Sequence, residues 1–137
     1  MSDTSFNRAV FEIVERDARF HARAYFFVRL ALDFTVGRLK KPDHGPQRHI
    51  TGQELLEGFR ELALREFGPL ARTVLAEWGL RRTEDVGDIV FNLVAQGVMG
   101  KCPEDTLEDF AGGYRFDSVF DMPFLPPSRR ATANRKE

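Results

Sequence analysis

The sequence predicts an all-α fold: a single compact domain of five or six helices around one central buried helix, closed by a Phe-rich C-terminal arm. Three observations predict it. Apolar residues recur at three- and four-residue spacing through most of the chain. Helix start and stop signals, such as Thr51-x-x-Glu54 and Gly68-Pro69, punctuate those stretches. The aromatic set is 13 Phe against 2 Tyr and 1 Trp, and a ring without a polar handle favours dry packing. With 137 residues the chain is long enough to bury such a core without staples. The domain is expected over residues 1–127, with 128–137 a disordered basic tail that has no apolar anchor.

The first helix fits residues 5–16, with Phe6, Val10, Ile13 and Val14 on one stripe. The second, about residues 20–40, carries Ala24, Phe27, Val28, Ala31, Phe34 and Leu39 on one side. Tyr25, Phe26, Leu30 and Leu32 extend its apolar surface around most of the circumference, and such a helix is usually buried. "KPDHGPQRH" then breaks the pattern as a surface loop.

Thr51 and Glu54 form a capping box, and Ile50 is placed to staple against Leu55. Leu55, Leu56, Phe59, Leu62, Ala63 and Phe67 continue the inward stripe. Gly68 suits the left-handed residue after a helix, and Pro69 suits the first turn of the next, so two helices should meet there at a sharp angle. That next helix ends at Gly79, with Leu70, Val74, Leu75 and Trp78 as its apolar side. Thr83 reads as the following N-cap, with Glu84, Asp85 and Asp88 near the positive end of the dipole.

Val86, Ile89, Val90, Leu93 and Val94 carry that helix to Gly97. Gly87 inside it costs up to about 1 kcal/mol relative to Ala, which a close helix–helix crossing would justify. A further short helix should start at Pro103. In "YRFDSVFDMPFLPP", Tyr114 and Phe116 alternate like a strand, while Phe116, Val119, Phe120 and Phe124 fit a helical turn followed by an extended strap.

No constellation for catalysis, metal or cofactor binding stands out. His44 and His49 share a loop without a ligand set at metal spacing, and His21 at the start of the second helix reads as a satisfied, partly buried imidazole. The lone Cys102 excludes an internal disulfide framework and suits a reducing compartment, so a soluble, cytoplasmic protein is expected. The acidic pairs Glu104–Asp105 and Glu108–Asp109 are sequence neighbours that splay around a helix, and no phosphate-cradling glycine motif is present. The most apolar stretch, "AYFFVRLALDF", is far short of the roughly 20 residues that span a bilayer.

Charge is arranged in blocks. Residues 1–83 carry 14 basic and 11 acidic side chains, residues 84–121 carry 2 and 9, and residues 122–137 carry 4 and 1. A basic set of Arg38, Lys40, Lys41 and Arg48 flanks the proline loop. Together with Arg81, Arg82 and the tail residues Arg129, Arg130, Arg135 and Lys136, it is a candidate surface for an anionic partner. "ARTVLAEWGLRRTEDVGDIVFNLVAQGVMGK" has a helix-turn-helix layout, with Arg81 and Arg82 able to touch phosphates from the turn. Glu84, Asp85 and Asp88 would then oppose the same phosphates.

At "HITGQELLEGFRELALREFGPLARTVLAEWG", "RRTEDVGDIVFNLVAQG" and "EDFAGGYRFDSVF" the chain resembles a family of small bacterial proteins of unknown function, found chiefly in the planctomycete and verrucomicrobial groups. The resemblance covers most of residues 6–124. It implies a bacterial intracellular protein and transfers no catalytic residue. The leading expectation is therefore a non-enzymatic interaction or regulatory module that presents a groove or charged face to a protein partner. A helix-turn-helix-like nucleic-acid binder is the alternative, and a small-ligand binder or enzyme with a pocket among the phenylalanines is the third.

Overall fold

The computed structural model describes residues 3–39, 50–99 and 107–126, and within them the chain folds as an all-α protein. Five α-helices follow in order: α1 Asp3–Arg16, α2 Ala22–Leu39, α3 Gly52–Phe67, α4 Ala71–Glu77 and α5 Thr83–Ala95. The expected proline loop and the Pro103 helix start lie outside the described residues, as do His44, His49 and Cys102. Of that last helix the described part is a 3-10 turn, Leu107–Phe110.

Helix α2 is central, packing against α1, α3 and α5. Its buried side is Ala24, Tyr25, Phe27, Val28, Ala31 and Thr35. Leu30 and Leu39 are exposed, so α2 is not enclosed all round as its sequence suggests. Thr35 takes an inner position because its hydroxyl donates to the Ala31 carbonyl at 2.7 Å, which satisfies the group without water. Gly58 on α3 faces it, and a Cβ there would overlap the Thr35 hydroxyl, so the α2–α3 crossing depends on that glycine.

The capping box of α3 forms as its sequence dictates. The Thr51 hydroxyl accepts from the Glu54 amide at 3.1 Å, and the Glu54 carboxylate accepts from the Thr51 amide at 3.0 Å. At the other end Gly68 adopts φ +53°, although its ψ of −131° lies outside the left-handed helical well, and a 3-10 turn Gly68–Leu70 leads into α4. Leu70 points to solvent, and Ala71 and Leu75 take the inner positions of α4 instead. The turn rotates the register, so the apolar stripe of α4 starts one residue later than spacing from Leu70 predicts.

His21 is exposed, contrary to the partly buried reading. Its Nδ1 accepts from the Arg23 amide at 3.0 Å and caps α2, which is why the position suits a polar ring at the surface. Thr83 is buried at the first helical position of α5 and is not its N-cap. The Asp85 carboxylate does the capping, accepting from the Arg81 and Arg82 amides at 2.9 and 3.1 Å.

Gly87 is tight for a reason other than a helix crossing. A Cβ there would come within 2.8 Å of the Phe110 ring, so α5 makes room for a residue of the 3-10 turn. A polar web also ties the α1–α2 link to α5. Arg19 pairs with Asp17 at 2.9 Å and with Asp88 at 3.1 Å, and Asn92 donates to the Tyr25 hydroxyl at 3.0 Å.

Candidate functional site

The α4–α5 connection and the C-terminal arm enclose a groove of about 530 Å³. Its construction starts at Gly79, whose φ of +94° turns the chain back so that the Leu80 amide donates to the Leu75 carbonyl at 2.9 Å. Leu80 is fully buried below the turn. Arg81 and Arg82 follow, Arg82 in extended backbone, their amides held by Asp85 and both side chains exposed.

The opposite wall is the arm. The Gly112 amide donates to the Glu84 carboxylate at 3.2 Å and the Gly113 amide to the Thr83 hydroxyl at 3.2 Å. Tyr114 sends its hydroxyl to the Leu56 carbonyl at 2.7 Å, and burial pushes its ionisation well above the ordinary range. Arg115 then forms an antiparallel bridge with Arg82. The strand-like reading shrinks to that one bridge, with no strand among the described residues, and a 3-10 turn stands where an extended strap was expected after the helical turn. A single bridge is followed by a π-helical turn, Asp117–Asp121, and a 3-10 turn, Met122–Phe124. Phe116 and Phe120 anchor the turn, their rings edge to face at 5.0 Å, whereas Phe124 is exposed.

Four guanidiniums converge on this region: Arg72 from α4, Arg81 and Arg82 from the turn, and Arg115 from the arm. Arg72 pairs with Asp121 at 2.7 Å, Arg115 with Asp117 at 2.8 Å and Arg82 with Asp85 at 3.4 Å. Arg81 makes no ion pair among the described residues. The Glu84 carboxyl is held below its ordinary range, chiefly by its own backbone amide and also by the Gly112 amide, against the opposing effect of burial.

Compared with family models, with curated proteins and with solved structures, the chain matches none.

The candidate basic surface is therefore split. Arg81 and Arg82 share the groove, but Arg38 lines a separate hollow beside Thr35 and Gly58, where it pairs with Glu61. Lys40, Lys41 and Arg48 lie outside the described residues, as do the tail arginines and Lys136. Sequence reasoning missed Arg72 and Arg115. The signal for Arg115 was present, because alternation that turns Tyr114 and Phe116 inward turns Arg115 outward. Arg72 had no such signal, since its place depends on how α4 meets the arm.

Asp88 and Asp85 do not form an acidic front to α5. Both are turned into the fold, toward Arg19 and the turn amides respectively. The only exposed side chains of α5 are Phe91 and Ala95. Among the described residues no group of three or more His, Cys, Asp or Glu side chains is placed to hold a metal ion, and no helix is long and apolar enough to cross a membrane.

Proposed function

We propose that the chain is a non-enzymatic protein-interaction module, with the groove between the α4–α5 turn and the C-terminal arm as its docking face. One observation carries this reading: both signs of charge line the groove, Arg72, Arg81, Arg82 and Arg115 beside the carboxylates of Glu84 and Asp117, with Arg115 and Asp117 paired at 2.8 Å. A wall of mixed sign complements a protein surface, which also offers both signs, and arginine is enriched in such interfaces. The volume suits a few residues of a partner.

A helix-turn-helix reading draws less support. Affinity for a duplex comes largely from cations that meet phosphates and release counterions, and three of the four guanidiniums here already face a resident carboxylate. The second helix would also have to read base edges with Phe91 and Ala95, which carry no donor or acceptor.

The test is a photo-crosslinking residue at position 76, inside the groove, compared with one at the exposed position 11 on α1. In cells producing the full chain, position 76 should yield discrete protein adducts that position 11 does not. Adducts sensitive to nuclease, or adducts equal at both positions, would reject the reading.

A further inference from the structure

We propose that the cleft between α3 and α5 is a peptide-binding site, filled within one chain by Phe110–Tyr114 and open to the same segment of a second copy. This goes beyond the groove reading and does not depend on what docks there.

The walls of the cleft are set without the segment. The Thr51–Glu54 box fixes the start of α3, and the Asp85 carboxylate on the Arg81 and Arg82 amides fixes the start of α5. Neither cap uses an atom of the arm. Each helix then contributes a glycine that makes room for it. A Cβ on Gly87 would come within 2.8 Å of the Phe110 ring, and one on Gly52 within 2.9 Å of Asp109 and 3.3 Å of the same ring. Phe110 is buried in this two-glycine socket.

The segment itself is irregular after the 3-10 turn that ends at Phe110, and its hydrogen bonds run to groups on the helices. The Gln53 side chain donates to the Asp109 carbonyl at 2.7 Å. The Gly112 and Gly113 amides donate to Glu84 and Thr83, and the Tyr114 hydroxyl donates to the Leu56 carbonyl. A helical cleft that takes one anchoring ring and satisfies the amides of an irregular segment has the parts of a peptide-recognition pair.

These contacts also specify the ligand. Gly112 holds φ +62°, where a side chain is strained, and a Cβ on Gly113 would come within 2.8 Å of Leu56. Ala111 is exposed, so its side chain is not read. The cleft therefore selects an aromatic residue, any residue, two glycines and a tyrosine. That pattern occurs once in the chain, so each copy carries one cleft and one segment. Two copies that exchange segments fill both clefts, and a two-fold pair of this kind closes on itself. A segment tethered in the same chain competes at an effective concentration on the order of millimolar, which keeps dilute wild type closed on its own arm.

The experiment mixes two full-length variants. Phe110→Ala keeps the socket open and removes the ring, whereas Gly87→Leu blocks the socket and keeps the segment intact. Circular dichroism checks that both retain the helices. Sedimentation velocity should find each variant unpaired alone and a one-to-one pair in the mixture. Adding Gly113→Ala to the Gly87→Leu chain should weaken pairing about tenfold. If either variant fails to fold, a labelled peptide of residues 107–121 is titrated into wild type and Tyr114→Phe, whose own segment lacks one hydrogen bond. The peptide should bind Tyr114→Phe about fivefold more tightly than wild type. Folded variants that do not pair, pairing indifferent to Gly113→Ala, or a peptide that binds neither protein or both alike would overturn the proposal.

Discussion

Gly37 and Gly58 lie in adjacent helices and meet opposite surroundings. A Cβ on Gly37 would find nothing within 4 Å, whereas one on Gly58 would overlap the Thr35 hydroxyl. Removing a helical glycine gains about 0.5–1 kcal/mol from backbone entropy, while overpacking a filled site loses about 1–3 kcal/mol. Gly37→Ala should therefore raise the unfolding midpoint and Gly58→Ala should lower it, a difference of sign that chemical denaturation would register. At the same scale, the Arg19 hydrogen bonds hold the Asp17 carboxyl down at about 2, from an ordinary 3.8. A folded value below the unfolded one adds stability that is complete above pH 3.8 and lost as pH falls through about 2. Because Arg19 is more than half exposed, solvent screens the pair, and its contribution stays below about 1 kcal/mol. Asp17→Asn should thus lower stability slightly at neutral pH and converge on wild type near pH 2, as paired denaturation curves across that range would reveal.

At the scale of elements, caps decide where helices begin, and their chemistry was only partly readable. The Thr51–Glu54 box acts between residues three apart, so spacing alone identifies it. At the start of α5 spacing pointed to Thr83 as the cap, and Asp85 takes that role instead. The Thr83 hydroxyl is engaged elsewhere, accepting from the amide of Gly113, thirty residues away. Asp85→Ala should cost about 1–2 kcal/mol and release the Arg81 and Arg82 amides to rapid hydrogen exchange, with the α3 amides unchanged. The Gly68-Pro69 break behaves similarly: its existence follows from two residues, but the 3-10 turn it contains decides that Leu70 faces water.

Across the whole molecule a chain of rings joins the core to the arm. Phe27 packs on Phe59 at 5.4 Å, Phe59 on Phe116 at 6.3 Å and Phe116 on Phe120 at 5.0 Å. Phe120 is fully buried, so Phe120→Ala should cost about 3–5 kcal/mol and also loosen the groove wall, read as faster amide exchange at Gly112 and Gly113. Phe124 is nearly half exposed, and Phe124→Ala should stay within about 0.5 kcal/mol. The helices and most of the inward stripe follow from the sequence by itself, because propensity and periodicity act over three or four residues. The groove does not. Arg115 lies 34 residues beyond Arg81 in the chain, and only the seating of Phe116 and Phe120 against α3 and α4 brings its charge to those of Arg72 and Arg81. Which carboxylate each guanidinium meets is likewise decided in three dimensions, since Arg72 finds Asp121 and Arg115 finds Asp117 only as the packing sets them.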